Sequence, residues 1–371
     1  YLVTDMTVTA AEVNGTTLNL CLNGQTLTAK AGSRVFTIKG GGKVNLTDCR
    51  GSGEVLATTY GSAGAIVNLA SSDTTQFTLY GGTLRGTSAE NVINGGLIYS
   101  NGGPVAIHGG AVRDGVALST SSKTVRGGNI RIDGGGTLTI TGGVISGGQN
   151  IGLTGDKCRG GNIYMGAGTT LNISGGTITG GNAILGGFLW TEDDCDINIT
   201  GGTITGCEAS QDGGLFWLGG GAKMNISGGT IEGGTAAGVG DGIYIVDATV
   251  TVSGDANFTG ETANIYVDNT TANAKLIIDE PADSLITVDA ADKTAAFATS
   301  ETNCAAKLYA ADENYITSWK DGQCYFEAAG ANVNTVVFKN RNEADIRESV
   351  LAFEKAIKEA IANDINKNGN R

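Results

Sequence analysis

The feature that most constrains this chain is a pair of glycines that returns at one place in a repeating unit. It follows a turn residue in YGGTLRG from Tyr80, HGGAVRDG from His108, TGGVISGG from Thr141, SGGTITGG from Ser174, TGGTITGC from Thr200 and SGGTIEGG from Ser227, with SGDANFTG from Ser253 as a last variant. Successive spacings are 28, 33, 33, 26, 27 and 26 residues. An alternating segment precedes the pair, clearest in TLTI, TLNI, DINI, KMNI and TVTV. Ahead of that, a second glycine pair opens another strand in GGLIYS, GGNIRI, GGNIYM, GGFLWT and GGLFWL. Each unit is therefore expected to hold three short strands.

Short strands with period-2 alternation cannot bury an apolar side alone, so each unit must stack on its neighbours. Like strands over like strands give parallel sheets around one core, with rungs about 4.8 Å apart. The preference of parallel crossovers makes right-handed winding the expectation. The predicted fold is all-β: a right-handed parallel β-helix solenoid with three strands per coil. A leucine-rich repeat would need a leucine consensus that is absent, and a propeller blade would need about 40 residues. Alternation turns Leu138/Ile140, Leu171/Ile173, Ile197/Ile199, Met224/Ile226 and Val250/Val252 inward, with Ile145, Ile178, Ile204 and Ile231 on the third strand. Most of the 61 glycines then serve corners that need positive φ or close backbone approach, with no phosphate-binding role.

Registering the first strand on its glycine pair aligns Tyr99, Arg131, Tyr164, Trp190, Trp217, Tyr244 and Tyr266. Apolar residues flank them, such as Ile98, Ile130, Ile163, Leu189, Phe216 and Ile243 before, and Ile132, Met165, Leu218 and Ile245 after. If the flanks face the core, this ladder faces out. An outward aromatic row offers apolar faces to sugar rings, with tyrosine hydroxyls and Arg131 to bond sugar hydroxyls, so a polysaccharide or host glycan is the expected ligand. Two other readings stand beside it: a stack that stabilises the sheet under covering loops, and a subunit interface that would make a homo-oligomer or fibre. Outward threonine pairs at Thr177/Thr179 and Thr203/Thr205 resemble an ice-binding array, but Val144/Ser146 and Ala111/Arg113 interrupt it.

Catalysis would require converging carboxylates. The candidates are Asp193, Asp194 and Asp196, with Glu192, in TEDDCD just after Trp190, and Asp212 and Glu208 at a corner one coil on; such a pair could act as acid and base or nucleophile on a glycosidic bond, which would make the chain a polysaccharide lyase or glycoside hydrolase. The competing reading is a tight acidic turn, solvated or weakly calcium-binding. His108 takes the turn position that holds Ser or Thr in other repeats. The signatures of a polygalacturonase, and a lyase-type basic residue, are absent. Insertions of about six residues in ALSTSSKTVRGG and QNIGLTGDKCRGG fall in adjacent units and would gather Lys123, Arg126, Lys157 and Arg159. They either offset nearby acids or bind an anionic sugar or sulfate.

The formal charge of −13 argues against a nucleic-acid partner, whose affinity rests on clustered Lys and Arg. No apolar run approaches the roughly 20 residues of a membrane helix. The first residue is Tyr1, as expected for a mature chain trimmed of a leader. Among seven cysteines, Cys21 with Cys49 and Cys304 with Cys324 are placed to bridge, and no spacing fits zinc. No cofactor is expected, apart from calcium at the C-terminus.

The opening segments LNLCLNGQTLTAK and VFTIKGGGKVNLTDC, taken with the glycine-pair repeat over residues 1–265, resemble secreted right-handed β-helix proteins of gut-dwelling Firmicutes. These are adhesin-like proteins with a pectin-lyase-like fold. The resemblance implies an extracellular or cell-surface protein associated with glycans. The repeat is expected to fill residues 1–275. A β-rich cap with a hairpin at Asp321-Gly322 follows over 276–340. Residues 341–371 carry an amphipathic helix with Ile346, Val350, Phe353, Ile357 and Ile361 at helical spacing. Asp364, Asn366, Asn368 and Gly369 then match positions 1, 3, 5 and 6 of a calcium loop. They resemble the start of a dockerin repeat whose closing residue lies beyond Arg371, which implies a cohesin or cell-wall tether.

Overall fold

The computed structural model describes residues 1–58, 64–70, 74–86, 94–119, 123–152, 158–259, 264–281, 285–303 and 305–329. The chain divides into a compact unit, Tyr1–Glu327, and a second, Ala328–Arg371. The expected helix over 342–363, the calcium-loop residues Asp364, Asn366 and Asn368, and also Lys157 and Cys304 lie outside the described residues.

The first unit is all-β, and nearly all of its strands pair in parallel with the equivalent strand of the next repeat, as in a β-solenoid. One 12-stranded sheet carries the first strand of each unit. It runs through Ile98–Asn101, Ile130–Asp133, Ile163–Met165, Leu189–Thr191, Phe216–Leu218, Ile243–Ile245 and Asn264–Val267. A 20-stranded sheet joins the second and third strands, which fuse into single long strands at Thr170–Thr179, Asp196–Thr205 and Ala222–Glu232.

The expected three strands per unit are too few between residues 116 and 236. There a further sheet stacks Val116–Ser119, Gln149–Gly152, Asn182–Ala183, Glu208–Ala209 and Thr235–Ala236. Where two of the glycine-pair units are longer, the added residues also pair, Val125–Arg126 against Cys158–Arg159. Segments of two residues show no alternation, so nothing in the hydrophobic pattern marks them.

The core is one continuous column from Leu2 to Phe326. Every inward residue named from alternation is buried in it, among them Leu138, Leu171, Ile197, Met224 and Val250. The glycine pair at 160–161 shows why this dipeptide recurs. Gly160 has φ +67°, and a Cβ on Gly161 would lie 2.2 Å from the Gly187 carbonyl oxygen of the next repeat. The first glycine supplies the left-handed turn, and the second lets neighbouring corners approach.

Parallel pairing continues past residue 275 through Lys275–Pro281, Ile286–Ala290 and Leu308–Ala310. The last strands turn antiparallel, Ala298–Thr299 against Gln323–Ala328. Asp321 and Gly322, at φ 50° and 80°, adopt the left-handed pair that a type I′ hairpin turn requires. Cys21 and Cys49 are disulfide-bonded, with Cα atoms 6.4 Å apart.

Candidate functional site

The aligned ladder is in register along its whole length. Tyr99 pairs with Arg131, Arg131 with Tyr164, Tyr164 with Trp190, Trp190 with Trp217, Trp217 with Tyr244, and Tyr244 with Tyr266. Each flanking Ile, Leu or Phe is fully buried in the core. The seven side chains therefore all stand on the outer face of one sheet.

Their rings are not equally open. Tyr164 and Trp190 stack at 5.1 Å with planes 13° apart, and Trp190 and Trp217 repeat the same geometry. Below them, the Arg131 guanidinium lies between the Tyr99 ring at 5.7 Å and the Tyr164 ring at 5.0 Å. An outward aromatic stripe open along its full length is thus corrected. Tyr164 is fully buried and Trp190 is 6 % exposed, in a small cluster of their own with Leu185. Rings in register at the rung spacing occupy each other's faces, so no face remains for a sugar. Beyond Trp217 the stack opens out, with Trp217 and Tyr244 at 66° and 6.2 Å, and Tyr244 and Tyr266 at 51° and 5.6 Å.

Two further columns bank the ladder. On one side stand the residues just before each glycine pair: Asn94 bridges to Arg126, Arg126 pairs with Arg159, and Arg159 bridges to Leu185. Asp212 continues this column, its carbonyl oxygen accepting the Gly186 N–H. The Arg126 Nε donates to the Tyr164 hydroxyl at 3.0 Å, and the Arg159 guanidinium lies 4.4 Å from the Trp190 ring centre. Arg126 and Arg159, separate from the aromatic ladder in the sequence, form one surface with it. On the other side stand residues two places after the ladder. Arg131 is ion-paired with Asp133 at 2.6 Å, and the Tyr164 hydroxyl donates to the Glu192 carboxylate. Burial, the Glu192 hydrogen bond and the Glu192 charge push the Tyr164 hydroxyl far above its ordinary range, against the opposing pull of Arg126.

Two clefts meet over Trp190 and Trp217. One, of about 420 Å³, is lined by Arg159, Trp190, Thr191, Glu192, Asp193, Trp217 and Gly220. Its neighbour, of about 380 Å³, is lined by Arg159, Leu185, Trp190, Gln211, Asp212, Trp217 and Tyr244. Burial and the charges of Asp268 and Asp212 push the Tyr244 hydroxyl up to about 12, and the same causes raise Tyr266.

The acidic candidates occupy different settings. Asp193 lines the first cleft and Asp212 the second. Asp194 sits in a turn at φ 53° with its N–H on the Gly220 carbonyl. Asp196 is exposed and pairs in register with Lys223. The Asp212 carboxylate accepts the Val239 N–H at 3.0 Å and so braces a corner. Among the described residues no three His, Cys, Asp or Glu side chains are grouped to hold a metal. Lys123 is exposed and lines neither cleft. His108 bonds Thr141 Oγ1 at 2.7 Å and stacks on Tyr80, as a turn residue would. Motif reading missed Leu185 and Gln211, and it placed Arg159 in a separate basic group and not beside the ladder. The signal for Leu185, and for the placement of Arg159, was a position immediately before a glycine pair.

Fold and site together define a class: an all-β protein of stacked parallel repeats with a banked aromatic ladder. Comparison with protein-family models, curated proteins and solved structures finds no match.

Proposed function

We propose that this chain is an extracellular carbohydrate-binding, adhesin-like solenoid that holds a polysaccharide or host glycan at the open end of its ladder. The coils are taken to wind right-handedly, as parallel crossovers do. The observation that carries the reading is the change at Trp217. There the rings fan apart beside two clefts that mix aromatic surface with Arg159, Gln211, Glu192, Asp193 and Asp212. Sugars present apolar C–H faces and hydroxyls that both donate and accept, and such a wall meets both. The Cys21–Cys49 disulfide supports an oxidising, extracellular setting. Binding is favoured over cleavage because Asp194 lies in a left-handed turn, Asp196 pairs beside Lys223 and the Asp212 carboxylate is held by the Val239 N–H.

The test is a glycan array with affinity electrophoresis on Trp217→Ala and Tyr244→Ala. Binding is expected to weaken by about tenfold or more for Trp217→Ala, the loss of one anchoring aromatic. Undiminished binding by both correctly folded variants would sink the reading.

A further inference from the structure

A second aromatic environment lies on a different sheet, and its geometry is the reverse of the stacked ladder. Tyr80 occupies the turn position taken by Thr141, Ser174, Thr200 and Ser227 in later repeats. A small hydroxyl residue therefore suffices for the fold there, yet Tyr80 places a ring that is 55 % exposed. His108 of the next repeat stacks on one face of that ring, with centres 5.2 Å apart. A cleft of about 680 Å³ is bordered by Tyr80, by Tyr1 and by residues of the preceding coils that include Asn19, Leu20, Asn45 and Thr47, and His108 is not among its walls. Tyr80 borders this cleft, and among the described residues His108 is the one ring that stacks on it.

The rest of the wall combines apolar surface from Tyr1, Leu20 and the Cys21–Cys49 disulfide with the side-chain amides of Asn19, Asn23 and Asn45. Asn45 Nδ2 donates to Asn19 Oδ1 at 2.7 Å. That bond leaves the Asn19 amide N–H groups and the Asn45 carbonyl oxygen without a protein partner among the described residues. Neighbouring rungs set these groups about 4.8 Å apart. No Asp, Glu, Lys or Arg lines the cleft. Nearby Asp48 is committed elsewhere, accepting the Gly24 and Gly53 N–H groups at 2.7 Å each. The Cys21–Cys49 disulfide ties together the two coils that form this wall.

We infer that this cleft is a second carbohydrate site, specific for a neutral sugar, in which a pyranose ring lies on Tyr80 and adjacent hydroxyls bond the Asn19–Asn45 pair. An exposed ring face takes axial C–H groups. One amide donor and one amide acceptor match two hydroxyls. The volume lies within the range of about 300–1,000 Å³ usual for small-ligand sites. The inference is independent of the ladder, because it uses other residues on another face of the sheet stack.

The experiment is native affinity electrophoresis of the full chain in gels containing galactomannan, mixed-linkage β-glucan or polygalacturonate. It starts from Trp217→Ala, so that the ladder does not mask the result. Residual retardation by at least one of the neutral polymers is expected. Adding Tyr80→Ala or Asn45→Ala should weaken it by about fivefold or more, while adding Tyr80→Phe should leave it unchanged. Tyr80 is exposed, so its truncation should leave the core intact, which melting curves matched to the parent's would check. Absence of retardation in Trp217→Ala, indifference to Tyr80→Ala, or equal retardation by polygalacturonate would overturn the inference. If instead Trp217→Ala binds as the parent does and Tyr80→Ala does not bind, the ladder reading fails and this one stands.

Discussion

The two halves of the ladder are built from the same residue types at the same strand position, yet they end up doing different things. From Arg131 to Trp190 the side chains stack in register and are closed over by Leu185, Arg126 and Arg159. From Trp217 to Tyr266 the planes rotate apart and the surface stays half-open. The contrast shows that an outward aromatic in a parallel stack is not by itself a binding surface. Stacking on a neighbour consumes the face that a ligand would use, and only a break in the stack returns it.

The sharpest way to break this comparison is truncation. Trp190→Ala removes a buried ring wedged between Tyr164 and Trp217 and should cost about 3–5 kcal/mol, seen as a lower denaturant midpoint. Tyr266→Ala, at the fanned end, should cost roughly 1 kcal/mol or less. Equal losses would erase the distinction.

A smaller effect separates the two halves through the Tyr164 hydroxyl, which joins Arg126 to Glu192 in the closed half only. Tyr164→Phe leaves both partners unmatched and should cost on the order of 1–3 kcal/mol in unfolding experiments. The same change at Tyr244 should cost less, and a reversed order would contradict the assignment.

The smallest expected effect is a dependence on pH. Burial holds the Tyr244 hydroxyl protonated up to about 12, against an unfolded value near 10. Because the folded value is raised, the associated stability is complete below pH 10 and is lost as pH rises from about 10 to 12. Absorbance at 295 nm should show ladder tyrosines ionising late, together with unfolding. Early ionisation of the whole set would show that the upper rings are not packed as described.

Much of this architecture is legible in the chain itself. The glycine pairs set the register, and the alternation between them selects the core residues; Ile163 and Met165 on either side of Tyr164 are enough to turn that tyrosine outward. The ladder could be read rung by rung for the same reason. What alternation cannot encode is whether an outward ring finds a free face, because that depends on side-chain rotation and on residues at another corner. Leu185 and Arg159 reach the ladder only because their corner stacks beside it. Asn182–Ala183, Glu208–Ala209 and Thr235–Ala236 are too short to show a period. The parallel sheets also outlast the glycine pairs, since LIID, ITVD and KLYA keep the alternation after the corners change.

The central claim is that the open end of the ladder binds sugar and the closed end supports it. Its most direct test is the affinity of Trp217→Ala and Arg126→Ala for a polysaccharide that the parent chain retains, measured by titration at matched folded fraction. The account predicts a loss of about tenfold or more for Trp217→Ala and little change for Arg126→Ala. Parent-like affinity in Trp217→Ala, or a larger loss in Arg126→Ala, would contradict it.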